Sequence, residues 1–173
     1  MDSNYPEKSW MNPNVEILPS LIHGRGMFST TSIDLGETVV VWGGLSGTAH
    51  EARRAEERGM VTMQLSDNLY SIEKRGDDNT YFMNHSCSPN IWIADAWTLT
   101  ANQHIQAGDE LTIDYALFEC DRNFVAEWEC ICGSVKCRKK ITGEDWLLPN
   151  LQRIYNSHFS PLLNRRISRK DQL

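Results

Sequence analysis

The chain has 173 residues, 40% of them hydrophobic and 23% charged; these are the proportions of a single globular domain and exclude a disordered or fibrous protein. Its net charge is −6; Arg165, Arg166, Arg169 and Lys170 against Asp171 give the last thirteen residues +3, so the first 160 carry −9. Duplex binding needs clustered Lys and Arg, so no direct nucleic-acid binding is expected, and an acidic body suits a basic partner better.

No apolar run approaches the ~20 residues that cross a bilayer. The opening MDSNYPEKSW has no apolar signal-peptide core. The expectation is an intracellular protein, cytoplasmic or nuclear, monomeric or dimeric, with no membrane partner.

Residues 1–14 are polar, with Pro6 and Pro13, and read as a loose lead-in. Val15–Leu18 reads as a strand stopped by Pro19. A glycine-bearing turn, Gly24-Arg25-Gly26-Met27-Phe28, follows. Ile33-Asp34-Leu35-Gly36-Glu37 leads into the β-branched run Thr38–Trp42, a buried strand closed by Gly43-Gly44. Thr48–Arg58 has the marks of a helix: Thr48 to cap it, Glu51 three residues on as in a capping box, and Gly59 as a stop. Its apolar residues are all Ala, so it reads as a solvated insert on a β core. Val61–Leu65 and Leu69–Ile72 are short strands, and Arg75–Asn79 is a turn. Ile91–Ile93 and Trp97–Ala101 form a hairpin across Asp95, with Trp42, Trp92 and Trp97 as core aromatics. Ile105-Gln106-Ala107-Gly108-Asp109 repeats the earlier Ile-x-x-Gly-acid turn and enters the strand Leu111–Tyr115. After Asp145 the pattern turns helical: Pro149 opens one helix with Leu151, Ile154 and Tyr155 on one face, and Ser160-Pro161 opens another with Leu162, Leu163 and Ile167 apolar. The basic face Asn164–Lys170 reads as solvated. The fold class is mainly β, a β-rich α+β domain.

Five cysteines, an odd number with no signal peptide, point to a reducing compartment. Three of them stand as Cys130-x-Cys132-x4-Cys137, with Gly133 allowing a tight turn. A tetrahedral zinc site needs four ligands. Cys87 is the better candidate for the fourth, because it lies in Asn84-His85-Ser86-Cys87-Ser88-Pro89-Asn90, a segment with no helix or strand pattern; Cys120 competes. His23, His50, His104 and His158 have no constellation around them and read as surface or hydrogen-bonded side chains.

Four blocks occur in order: Gly24–Phe28; Phe82-Met83-Asn84-His85-Ser86-Cys87; Glu110-Leu111-Thr112-Ile113-Asp114-Tyr115; and the three-cysteine loop. Together they resemble the SET-domain protein-lysine methyltransferases from about Val15 to Lys140, and the cysteine loop resembles the family's post-SET motif. The resemblance implies small sheets around a pseudoknot in which the Asn84–Cys87 segment and the strand ending at Tyr115 are threaded together. It divides the chain into a lead-in at 1–14, a SET catalytic domain at 15–118, a post-SET zinc loop at 119–141 and a helical extension at 142–173.

The resemblance also assigns roles. S-adenosylmethionine would lie against Gly24, Arg25, Gly26, Met27, Tyr81, Phe82, Asn84 and His85. Asn84 would hydrogen-bond its methionine portion, and His85 would meet the adenine through its backbone. Tyr81 departs from the family, which often has Arg there. Zinc would be held by Cys87, Cys130, Cys132 and Cys137, the family favouring Cys87 over Cys120. The substrate would be a lysine of a protein, histone or otherwise, entering a channel lined by Tyr70, Ile113 and Phe118. Tyr115 would be catalytic, orienting the amine and stabilising charge at the transferring methyl. Trp128 would pack on the zinc loop. Where the family often has Phe or Tyr two residues before the catalytic Tyr, Ile113 offers no hydroxyl, which implies di- or trimethylation. Two rival expectations are an idle SET-like module that binds peptide or cofactor, and a zinc-ribbon nucleic-acid binder.

Overall fold

The two Ile-x-x-Gly-acid turns meet face to face. Ile33 and Ile105 exchange backbone hydrogen bonds of 3.0 and 2.9 Å, and both side chains are buried. Each turn reverses at a glycine in the left-handed region, Gly36 at φ 82° and Gly108 at φ 89°, where a Cβ would be strained. The computed structural model describes residues 5–74 and 79–170; most of the expected turn at Arg75–Asn79 lies outside them.

In chain order the strands are β1 (Trp10–Met11), β2 (Val15–Pro19), β3 (Arg25–Ser29), β4 (Thr38–Val41), β5 (Leu45–Gly47), β6 (Val61–Gln64), β7 (Tyr70–Glu73), β8 (Asn84–His85), β9 (Ile91–Ile93), β10 (Thr98–Ala101) and β11 (Glu110–Ile113). The helices are α1 (Ala49–Glu56), α2 (Pro149–Tyr155) and α3 (Pro161–Lys170), with 3-10 turns at Tyr115–Leu117, Asp145–Leu147 and Asn156–His158. The larger sheet runs β1-β4-β10-β9-β11-β3-β2, and β8 pairs with β11 off that path. The smaller one runs β5-β7-β6. The expected β-rich architecture is present. Among the described residues no helix is long and apolar enough to cross a membrane.

Strand β11 changes partner along its length. Glu110 and Leu111 pair antiparallel with β3, whereas Thr112 and Ile113 pair parallel with Asn84 and His85 of β8. This puts the two polar family blocks side by side although 26 residues separate Asn84 from Glu110. The core behind them is aliphatic: Val39, Val40, Leu99 and Leu111 are fully buried, and each such side chain contributes about 1.5–3 kcal/mol on leaving water.

The insert helix forms as its sequence dictates. Thr48 accepts from the Glu51 N–H while the Glu51 carboxylate accepts from the Thr48 N–H, a complete capping box. Only Ala52 and Ala55 are buried, so α1 covers the small sheet with methyl groups alone.

Four readings are corrected. The segment before Val15 is no loose lead-in from residue 10 on: β1 pairs with Val40 and Val41, and buried Asn12 donates to Glu37 Oε1 and the Thr38 carbonyl, both at 2.9 Å. Asn12 Oδ1 also accepts from the Asn14 N–H at 2.9 Å, and a polar side chain with three bonded partners is held inside as firmly as an apolar one, which composition does not reveal. The last strand ends at Ile113, not Tyr115, because Asp114 caps a 3-10 turn there. Ile154 is exposed, since α2 packs through Leu151 and Tyr155 only. Of the three tryptophans only Trp42 is buried; Trp92 is partly exposed and stacks on His158 at 3.4 Å, and Trp97 meets Tyr5 edge-on.

Candidate active site

The glycines of the Gly24–Phe28 block serve different ends. Gly24 has φ 50° and open space around it, so it is there for its conformation. Gly26 is there for its size: a Cβ on it would stand 2.2 Å from Glu110 Oε1 and 3.1 Å from Asn84 Nδ2. The Asn84 amide is anchored by the Arg25 carbonyl at 3.0 Å, the His23 carbonyl at 3.2 Å and Glu110 Oε1 at 2.7 Å. The Glu110 carboxylate also accepts from Ser20 Oγ at 2.8 Å. Strand pairing thus delivers Asn84 to the Gly24–Gly26 turn, and Glu110 clamps it there. Gly26→Ala should drive Glu110 off Ser20 and Asn84 and lower stability by about 1–3 kcal/mol, the cost of stranding such groups. Urea denaturation reads this directly, and an unchanged midpoint would mean that Glu110 yields freely.

Met27 is fully buried in the core, so only its backbone faces this turn. Arg25 is exposed, its guanidinium 4.9 Å from the Phe82 ring centroid, and Tyr81 packs against Phe82 at 4.4 Å.

Tyr115 opens the turn after β11. Its N–H donates to His85 Nδ1 at 3.2 Å, so that nitrogen is an acceptor and the ring proton sits on Nε2, which lies 3.3 Å from Cys87 Sγ. Burial pushes the His85 pKa down to about 4 despite Asp114 nearby, so the ring is neutral at physiological pH. The Tyr115 hydroxyl donates to the Met83 carbonyl at 3.2 Å, and burial pushes its pKa up to about 12, so it stays a neutral phenol. Trp128 lies near the rings of Tyr115, His85 and His23, at 6.3, 6.0 and 6.4 Å. His23, read from sequence as a surface or hydrogen-bonded side chain, is exposed as expected and stacks on Trp128 at the edge of this aromatic group.

Cys87, Cys130, Cys132 and Cys137 converge, with all four sulfurs within 4.8 Å of one another and Cys87 and Cys130 4.0 Å apart. A tetrahedron with metal–sulfur bonds of 2.3 Å has edges of about 3.8 Å, so the set fits a zinc ion with little adjustment. Cys120 lies elsewhere, donating to Gln64 Oε1 at 3.4 Å. Trp128 and buried Ile141 pack on the cluster. The Cys87 sulfur also accepts the Arg138 N–H at 3.3 Å.

A cleft of about 1090 Å³ opens between α1, β6, the 118–124 segment and α3, with Tyr70, Phe118, Glu119 and Arg166 on its walls. Phe118 joins it to Tyr115, the two rings being 5.5 Å apart. Ile113, by contrast, is buried in the main core and is not on the cleft wall. Tyr70 and Phe118 therefore share the cleft, and Phe118 alone of the two contacts the Tyr115 ring, whereas the expected channel residue Ile113 lies in the core.

Sequence reasoning passed over Ser20, Glu110, Asp114, Arg138 and Tyr155. Glu110 and Asp114 stand inside one of the four family blocks, Arg138 directly follows Cys137, and Tyr155 reads only as part of a helix face; Ser20 carries no signal.

A β-rich domain that pairs an Asn-His strand with the strand leading to a tyrosine turn, beside a four-cysteine cluster, has the architecture of a SET domain. The SET-domain family pattern matches residues 24–116, more than half of the chain, and the chain belongs to the SET-domain methyltransferase family. Histone-lysine N-methyltransferase trithorax of Drosophila virilis is 32% identical over 139 residues, covering 72% of this chain and 4% of the relative. Histone-lysine N-methyltransferase ASHH3 of Arabidopsis thaliana is 30% identical over 133 residues, 68% of this chain and 35% of the relative. Histone-lysine N-methyltransferase SETDB2 of Mus musculus is 35% identical over 92 residues, 46% of this chain and 13% of the relative. The chain thus spans between 4% and 35% of the length of these proteins.

Proposed function

We propose that this chain transfers methyl groups from S-adenosylmethionine to the side-chain amine of a lysine in a protein, with Tyr115 as the catalytic residue. The observation that carries the reading is that Asn84 and His85 lie on β8 along the strand that leads into the Tyr115 turn, with the Tyr115 N–H bonded to His85, beside four converging thiols. In this reading residues 15–118 form the SET domain, 119–141 the zinc loop and 142–173 an extension. The relatives' names make histones the first substrates to test, and the acidic body is compatible with them.

When bound, the cofactor supplies an electrophilic methyl on a sulfonium; Gly24, Gly26, Asn84 and His85 would hold it. Lysine, with a pKa near 10.4, arrives protonated. Tyr70 and Phe118 surround the entering chain with apolar rings, which disfavour the ammonium and exclude water. The Tyr115 proton is committed to the Met83 carbonyl. Its oxygen lone pairs are therefore free to accept an N–H of the amine and turn the nitrogen lone pair toward the methyl. This alignment is the entropic part of the barrier. Zinc at Cys87, Cys130, Cys132 and Cys137 would be structural, since four thiolates leave it no open position.

The test is mass spectrometry of histones and of a cell lysate after incubation with the chain and isotope-labelled cofactor. Labelled methyl on lysine supports the reading; cofactor binding with no transfer to any protein would make the chain a binding module instead. A time course on one peptide adds a second check. The family likeness at Ile113 implies product beyond monomethyl-lysine although this side chain is buried off the cleft wall, and a reaction that halts at one methyl under excess cofactor would refute this.

A further inference from the structure

The Asp114 carboxylate is fully buried and nearly saturated with donors. Oδ1 accepts from Arg138 Nη2 at 2.6 Å and from the Ala116 N–H at 3.0 Å. Oδ2 accepts from Arg138 Nη1 at 2.7 Å and from the Tyr155 hydroxyl at 2.8 Å. Arg138 is aimed in turn by Asp145, whose Oδ2 accepts from Nε at 2.8 Å, and Asp145 Oδ1 accepts from Thr142 Oγ1 at 2.8 Å. A bidentate guanidinium on a buried carboxylate is a directional contact that lysine does not reproduce.

What this network grips is the turn that presents Tyr115. Asp114 caps the Tyr115–Leu117 turn, and the Tyr115 N–H reaches back to His85. Its two side-chain donors come from outside the matched SET residues 24–116: Arg138 follows the last cysteine of the loop, and Tyr155 ends α2 of the C-terminal extension. Arg138 also touches the cysteine cluster, through its N–H to Cys87 Sγ.

We propose that Arg138 and Tyr155 are positioning residues for Tyr115: by fixing the Asp114 carboxylate they set the turn that carries the tyrosine, so that closure of the cysteine loop and docking of the C-terminal extension are both required for a competent site. The consequence for rate rests on the methyl-transfer reading above; the effect on Tyr115 does not. Neither residue touches the reacting atoms.

Removing Arg138 outright leaves a buried carboxylate uncompensated and endangers folding. The informative variant is therefore Tyr155→Phe, which deletes one hydroxyl and keeps the ring, with Arg138→Lys as the second. Two readouts are taken on the full chain, with its metal content measured. The first is the fluorine resonance of 3-fluorotyrosine placed at position 115, expected as one line in the parent and as a shifted or split line in each variant. The second is the split between kcat and KM, at a temperature where both variants are folded. Here kcat is expected to fall about tenfold, the rate equivalent of one lost hydrogen bond, with both KM values and the metal content unchanged. An unmoved fluorine resonance overturns the proposal, as does an unchanged kcat beside a lowered melting temperature, which would leave Arg138 and Tyr155 with a structural role only. If the parent transfers no methyl group, the methyltransferase reading fails by itself, and the fluorine resonance still decides whether these residues set Tyr115.

Discussion

Tyr115→Phe is expected to reduce methyl transfer by about 10²–10³-fold, the usual consequence of deleting one preorganised polar group at a reacting centre. The loss should fall on kcat. In the proposed reaction the hydroxyl would orient the amine and meet charge that develops in transfer, so it would act in the transition state more than in the ground state. Cofactor affinity, which the proposed function assigns to Asn84 and the Gly24–Gly26 turn, should hold. The fold should hold too: the ring remains wedged between His85 and Phe118, and the change strands only the Met83 carbonyl, at about 1 kcal/mol. Single-turnover kinetics and calorimetric titration with cofactor separate the two effects. Parent-like turnover in Tyr115→Phe would remove Tyr115 from the chemistry.

The second large effect is expected at the cysteines. Cys130 is almost fully buried beside Cys87 and Ile141, and the 126–141 segment has few partners apart from this cluster, the Val125–Thr142 bridge and the Arg138 network. Structural zinc in small peptides is worth about 10–16 kcal/mol of apparent binding energy, and here that energy would become order in the loop. Cys130→Ser, or a strong chelator, should release the metal, open residues 126–141 to hydrogen exchange and abolish transfer, while β4, β10 and β11 stay protected. The order of events is the discriminating part. The loop packs on Tyr115 and His85 through Trp128 and reaches the Tyr115 turn through Arg138, so activity should fail with the loop and before the core. Metal analysis finding no zinc in active protein would defeat this account.

Much of this was legible in the residues themselves, and the reason is range. The capping box of Thr48 and Glu51, the glycine reversals at Gly36 and Gly108 and the β-branched run at Thr38–Val41 are settled within a few residues, by sterics and local hydrogen bonds, and they fold as read. The order of the Asn84–Cys87, Glu110–Tyr115 and cysteine blocks likewise carried the family, because it is a pattern along the chain. What the sequence left open was decided by pairing at a distance. Cys87, the fourth ligand expected from the sequence, meets the other three cysteines, 43 residues from Cys130, only through the fold. Gly26 is needed because Glu110, far along the chain, occupies the space of its missing side chain. Tyr115 stands on a turn and not at a strand end because a buried carboxylate at Asp114 found donors in Arg138 and Tyr155. Such a carboxylate is tolerable inside a protein only where its partners arrive together, and no local propensity encodes their arrival; the tertiary structure alone brings the cysteine loop, the C-terminal extension and the Tyr115 turn to one point.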